Sequence, residues 1–218
     1  MKSAREHSGD GKVSTKDRIL AAARGVFAEK GFDGASTREI AARADVNISS
    51  LHYHWDSKET LFAAILASVQ NELIERLRGV VGGAPPATPA DARRTIEAAM
   101  GVTFDFFADD LSVPRLLMRR ILDGGGSFEA ADGLSLESAW PTFIDWTQVF
   151  TGGALDPEDA TFFLVTIQSV LLVLMLDSPL LATAIGSIED PQTRARMRER
   201  VIRLIEKLLD VEDEGAGD

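Results

Sequence analysis

The stretch from Ser36 to Leu61, STREIAARADVNISSLHYHWDSKETL, constrains the fold more tightly than any other part of the chain. It holds two short helix patterns separated by a break too brief for anything but a tight turn, which is the sequence form of a helix-turn-helix. Ser36 with Glu39 three residues on reads as a capping box, so a helix opens there, and Ile40, Ala41 and Ala44 supply its small apolar inner face. Asp45 falls where the chain must turn, and Asp accepts the left-handed backbone better than most non-glycine residues. Val46 plugs the corner and Asn47 caps the second helix. From that helix Ile48, Ser49 and His52 project to one side, while Leu51 and Trp55, four residues apart, project to the other. The outward side is short and polar, so it can meet something other than a protein core.

The flanking sequence continues in helical periods. Residues 1–13 read as a loose arm, with Ser8, Gly9, Asp10 and Gly11 set against regular structure; its Lys2, Arg5 and Lys12 could reach a minor groove, although a disordered tail is the simpler reading. Ile19, Leu20, Ala23, Val26 and Phe27 then predict a helix from about Thr15 to Lys30, stopped by Gly31. A long helix follows Asp56 or Ser57, its stripe of Leu61, Phe62, Ile65, Leu66, Val69, Leu73 and Leu77 running to about Val80. Gly82, Gly83, Pro85, Pro86 and Pro89 then form the clearest linker.

Beyond the linker, Ile96, Met100, Phe104 and Phe107 mark a helix from Pro89 to Phe107. A shorter one from Val113 to Leu122 turns Leu116, Leu117, Ile121 and Leu122 inward and Arg115, Arg119 and Arg120 outward. The glycine run Gly124-Gly125-Gly126 lacks both a preceding strand and a following Gly-Lys-Ser/Thr, so it reads as a helix stop and loop, not a phosphate cradle. Trp140, Phe143, Ile144 and Trp146 lie on a helix from about Ser135 to Phe150. Asp156-Pro157-Glu158-Asp159 combines a cap, a proline at the first position and first-turn acids, opening a helix apolar nearly all round from Phe162 to Leu176. About 20 apolar residues are needed to span a bilayer, so this run reads as buried, with no membrane partner. A helix apolar on every face needs two partners, one in its own domain and one plausibly the same helix of a second copy. Asp190-Pro191 opens a last helix, where Met197, Val201, Leu204, Ile205, Leu208 and Leu209 form a stripe opposite Arg194, Arg198 and Glu206. No alternating strand pattern occurs, and the class is all-α.

The segment from about Thr15 to Leu66 resembles the DNA-binding domain of tetracycline-repressor (TetR) family regulators. The likeness is carried by Arg18-Ile19-Leu20-Ala21-Ala22-Ala23 with Phe27, Gly31-Phe32, Thr37, Ile40-Ala41, Ala44, Val46, Leu51, Tyr53-His54 and Ser57-Lys58-Glu59. Three positions depart from the family pattern: Asp45 stands where Gly is usual, His52 where an aromatic such as Tyr is common, and Trp55 where Phe is common. The resemblance implies a homodimeric regulator that binds double-stranded operator DNA, with Thr37, Tyr53, His54 and Lys58 at phosphate-contacting positions. Ile48, Ser49, Ser50 and His52 have the reach for base edges or a thymine methyl, and Arg38 and Asn47 complete the candidate DNA-binding set. Arg38 reads equally well as a solvated surface charge.

The expected organisation is an arm (residues 1–13), a helix-turn-helix DNA-binding domain (14–60), an effector-binding and dimerisation domain (61–210) and an acidic tail (211–218). A hydrophobic small-molecule effector would touch Met100, Phe104, Phe107, Met118, Trp140, Phe143, Trp146 and Phe162, side chains that a plain core would also use. Phe163, Ile167, Val170 and Leu174, with Val201, Leu204, Ile205 and Leu208, are the candidate dimer interface, a two-fold four-helix arrangement that the resemblance also implies. The net charge of −11 is unevenly distributed: residues 1–60 hold 10 basic against 9 acidic side chains, and the remainder 13 against 25. Lys16, Arg18, Arg38, Arg43 and Lys58 would need to share one face to serve a DNA surface.

Other chemistries find little support. His52 and His54 are two apart on a helix and diverge by about 200°, so no metal is expected, and there is no Cys. Neither a nucleophile elbow nor a phosphate loop occurs, so neither an enzyme nor a cofactor is expected. The absence of Cys and of an apolar N-terminal leader suggests the cytoplasm. A constitutive DNA-organising or protein-docking dimer without an effector, and a transcriptional activator, are the alternatives to an effector-released repressor.

Overall fold

The computed structural model describes residues 14–81, 85–122, 140–176 and 179–208. The expected arm, Gly82 and Gly83, the triglycine loop, the start of the helix expected from Ser135, Leu209 and the acidic tail lie outside these residues. Ten helices and no strand occur among the described residues: α1 (Thr15–Gly34), α2 (Thr37–Arg43), α3 (Ile48–His54), α4 (Lys58–Val81), α5 (Pro89–Asp109), α6 (Ser112–Leu122), α7 (Trp140–Phe150), α8 (Pro157–Met175), α9 (Pro179–Ala184) and α10 (Pro191–Leu208).

Local chemistry sets most boundaries. The Ser14 hydroxyl accepts from the Asp17 amide at 3.1 Å to start α1, and Gly31 (φ 74°) breaks its regular run, a backbone that a residue with a Cβ adopts at a cost. The Ser57 hydroxyl accepts from the Thr60 amide at 3.1 Å to start α4. Thr88 and Asp156 cap α5 and α8, each followed by proline in the first turn. The short α9 has no counterpart in the sequence reading.

A single apolar core runs through the chain. Ile19, Ala23 and Phe27 of α1, Ile40 of α2, Leu51 of α3 and Leu61 and Phe62 of α4 are all almost fully buried. Phe62 meets Phe27 edge-on at 4.9 Å and Phe32 at 5.5 Å. The expected boundary after residue 60 therefore cuts through a packed unit, because the first two turns of α4 complete the N-terminal core. On its other side α1 rests against α6, whose Val113, Pro114, Leu116 and Leu117 are buried. Arg24 bridges this seam, reaching the Asp110 carboxylate at 2.6 Å, the Ser112 hydroxyl at 3.1 Å and the Glu72 carboxylate at 3.7 Å.

Two expectations are corrected. Ile121 and Leu122, expected inward, are exposed at the end of α6. Arg194, Arg198 and Glu206, expected opposite the apolar stripe of α10, lie on its packed side: Arg194 binds Asp109 at 2.7 Å and Asp105 at 3.2 Å, Arg198 binds Asp105 at 3.1 Å, and Glu206, only 8% exposed, meets Arg93 at 3.0 Å. These pairs tie α10 to α5. Burial raises the affinity of the Glu206 carboxyl for its proton, and the hydrogen bond it gives Glu97 lowers that of its neighbour.

Candidate nucleic-acid interface and apolar cavity

The turn between α2 and α3 is built as its residues dictate. The Ser36 hydroxyl accepts from the Glu39 amide at 3.2 Å, while the Glu39 carboxylate pairs with Lys30 at 2.7 Å. Asp45 adopts φ 53°, and its carbonyl accepts from the Arg18 guanidinium at 2.9 Å, which pins the turn to α1. The Asn47 carboxamide oxygen accepts from the Ser50 amide at 2.6 Å, so this side chain acts as the cap of α3. Leu51 and Trp55 are buried beneath α3. Asn47, Ile48, Ser49, His52, Tyr53 and His54 are exposed on it, and Ser50 is half-buried. Tyr53, 85% exposed, meets His54 edge-on at 5.2 Å, so neither ring is part of the core. Arg38 is exposed beside them on α2, and Thr37 is half-buried.

The five cations expected to share a face behave differently. Arg18 is held by the Asp45 carbonyl and Arg43 by the Glu29 carboxylate at 2.8 Å. Lys58 has protein partners of its own. Its ammonium donates to the Phe32 carbonyl at 2.8 Å and the Ala35 carbonyl at 3.3 Å and lies 4.2 Å from the centre of the Phe32 ring. It therefore joins the start of α4 to the end of α1. Among the described residues Lys16 and Arg38 have no charged partner.

Behind this unit, α4, α5, α7 and α8 enclose a cavity of about 140 Å³. Of the residues expected to touch an effector, Met100, Phe107, Trp140, Phe143 and Trp146 line it. Phe104 does not, being fully buried in the adjoining core; Met118 packs against the core outside the cavity, and Phe162 is 75% exposed. Phe106, Phe150 and Leu164 line it without having been anticipated, as does the far half of α4 through Val69, Leu73 and Leu77.

The α8 residues expected at a dimer interface are not the exposed ones. Phe163 and Ile167 face the cavity, and Val170 and Leu174 are half-buried; the exposed stripe is Phe162, Val165, Ser169 and Val173. On α10, Val201 and Ile205 are buried and Leu204 is 48% exposed, while the Leu208 side chain lies outside the described residues. By length and composition α8 could cross a membrane, but it forms a cavity wall, and only 28% of its most apolar window is buried within one chain. Among the described residues no group of three His, Asp or Glu side chains is placed to hold a metal ion.

Residues 19–65 match the family model described as bacterial regulatory proteins, tetR family. The chain is 32% identical over 95 residues to the HTH-type transcriptional repressor KstR2 of Rhodococcus jostii, a match covering 44% of each protein. The matched stretch thus spans less than half of that relative. Among solved structures, the Streptomyces coelicolor protein SCO4942, assigned as a transcriptional regulator, superposes with a TM-score of 0.65 and 26% identity over 89% of this chain and 98% of that one. The regulator FadR of Bacillus subtilis, solved in complex with stearoyl-CoA, shares the fold, with a TM-score of 0.65 and 15% identity over 86% of this chain and 96% of that one. Residues 19–65 thus match the N-terminal unit of the tetR family, and the chain as a whole shares the architecture of these solved structures.

Proposed function

We propose that the protein is a homodimeric repressor, acting in the cytoplasm, that leaves a partly palindromic operator when an apolar small molecule occupies the cavity. The observation that carries this reading is the double role of α4. Its first turns complete the core beneath α3, and its far half walls the cavity. At about 1.5 Å per residue, its 24 residues reach about 36 Å, so an event in the cavity is mechanically joined to the reading head. FadR's complex with stearoyl-CoA and KstR2's name as a repressor point the same way.

In this reading α3 enters the major groove, with Ile48, Ser49 and His52 at base edges. Thr37, Arg38, Ser50, Tyr53 and His54 flank them toward the phosphates. Asn47 and Lys58 act by holding the turn and the start of α4. The exposed faces of α8 and α10, with Phe162, Val165, Val173 and Leu204, pair with the same faces of a second copy, and the two reading heads stand about 34 to 36 Å apart.

The test is selection of a preferred duplex from a random pool, followed by titration of the complex with a panel of apolar compounds. One chemical class should both raise the melting temperature and release the selected duplex. A dimer that selects a duplex but is neither stabilised nor released by any of them would refute the effector, and a chain with no sequence preference at moderate salt would refute the whole reading.

A further inference from the structure

We propose that the effector is an uncharged ring compound carrying a single carbonyl, and that the Gln168 carboxamide on α8 donates the hydrogen bond that holds this carbonyl. The inference rests on the cavity being the effector site and adds the chemical class of its ligand.

The walls of the cavity select the body of the ligand. Seven aromatic side chains line it, drawn from α5, α7 and α8. Phe106 meets Phe107 at 5.5 Å and Phe143 meets Trp146 at 5.9 Å, both close to edge-on. A further ring set against such pairs gains edge-to-face or offset contacts that an alkyl chain does not make. No charged side chain lines the cavity among the described residues. An anion or a cation buried there would lose its water and find no countercharge. Arg120, in the wall of a second cavity that abuts this one, already has a partner.

The donors and acceptors on the wall place the polar group. The Thr103 hydroxyl donates to the Ala99 carbonyl at 2.8 Å, Thr147 to Phe143 at 2.8 Å and Thr151 to Thr147 at 2.9 Å. A hydroxyl has one proton, so these three offer a ligand only lone pairs, and a carbonyl set against them is unsatisfied. The N–H groups of the wall belong to Gln70, Gln168, Trp140 and Trp146, and Gln70 already has a partner. Gln168 and Trp140 stand together where the two cavities share a wall. Gln168 is half-buried and has no hydrogen-bond partner among the described residues. A ligand that covers this carboxamide must satisfy it or leave a desolvated donor. A neutral carbonyl does so without burying a charge, and the Trp140 indole, a donor only, favours an acceptor at the same wall.

The test changes one feature of the probe at a time and follows binding by calorimetry. The reference is 2-acetylnaphthalene. Its comparisons are 2-ethylnaphthalene, which lacks the acceptor, nonan-2-one, which lacks the rings, and 2-naphthoate and 2-naphthyltrimethylammonium, which carry charge. The ring ketone should bind the unmodified protein more tightly than nonan-2-one, and at least about tenfold more tightly than either ion. Gln168→Met, near in volume but without the donor, should weaken the ring ketone about fivefold, as loss of one neutral hydrogen bond predicts. The same variant should leave 2-ethylnaphthalene binding unchanged, which also reports an intact cavity. An equal effect of Gln168→Met on ketone and hydrocarbon would overturn the role of Gln168. Binding of nonan-2-one or of either ion as tightly as the ring ketone would overturn the ligand class, and both results leave the effector reading standing. Binding of none of the five by a protein that still selects its duplex would overturn both.

Discussion

Replacing Lys58 by methionine keeps most of the apolar stem and removes only the ammonium. The structure gives that ammonium a 2.8 Å bond to the Phe32 carbonyl, a longer one of 3.3 Å to Ala35 and a position 4.2 Å from the Phe32 ring centre. The shorter bond, charge-assisted but half-exposed, contributes about 1 kcal/mol after screening; the ring contact adds about 0.5, and the longer bond less. The Phe32 carbonyl also accepts from the Ala35 amide at 3.3 Å, so it is not orphaned when the ammonium goes. Lys58→Met should therefore cost about 1.5 kcal/mol, lowering the melting temperature by about 3 to 6 °C for a chain of this size. Urea unfolding and operator titration over a range of salt separate this clamp from a phosphate ligand. A clamp shifts the unfolding midpoint and leaves the slope of log K against log salt unchanged. An unchanged midpoint, with a slope reduced by about 0.9 for each lost phosphate contact, would refute the reasoning.

Three further outcomes follow from the packing of the helices. Gly79→Ala, on the exposed side of α4 with nothing within 4 Å of the new methyl, should stabilise by about 0.5 to 1 kcal/mol, whereas Gly186→Ala, at φ 102° with Thr193 Oγ1 2.7 Å from the new Cβ, should destabilise by about 2 kcal/mol, both read by urea unfolding. Val165→Asp with Val173→Asp, placed on the exposed stripe of α8, should give a folded monomer by sedimentation with greatly weakened operator binding. The Arg194 hydrogen bond is the largest cause holding the Asp109 carboxyl below its ordinary pKa; this contribution is present above the unfolded-state pKa and lost as pH falls through the folded one. Arg194→Gln should accordingly flatten the acid limb of the stability profile, by less than about 1 kcal/mol because Asp109 is nearly half exposed.

The helix-turn-helix was legible because its determinants are local. Ser36, Asp45 and Asn47 each act on a backbone group within three residues, or through their own φ, and the structure uses all three in that way. The Lys58 clamp was not legible because its partners, Phe32 and Ala35, lie 26 and 23 residues earlier and meet it only once α1 has folded back on α4. The pairing of Arg194 and Arg198 was hidden for a similar reason, since Asp105 and Asp109 come to face them only when α5 and α10 pack. On α8 the difficulty was of another kind. Phe162-Val165-Val173 and Phe163-Ile167-Leu174 are both apolar at helical spacing, so periodicity could not say which faced inward. The cavity's α4 wall was seen in sequence only as a core stripe, because a void has no local signature.

That ambiguity on α8 follows from what the helix must do. A helix with one buried face needs one apolar stripe, and its polar side then identifies solvent. Here Ile167, Leu171 and Met175 pack inward, Phe163 and Leu164 border the cavity, and Phe162, Val165 and Val173 remain exposed on a single chain. In the proposed dimer the same helix is both wall of the effector site and half of the subunit contact. Ligand entry and the spacing of the two reading heads then share a rigid element. A second route runs through α6, which contributes Leu117 to the cavity and rests on α1, with Arg24 tying α1 to Asp110 and Ser112 at its N-terminal end. A coupling of about 1 to 3 kcal/mol between effector and operator is of the size that rearranging one such ion pair and a few apolar contacts can supply. Neither route needs a flexible hinge between domains, because the core is continuous from α1 to α10.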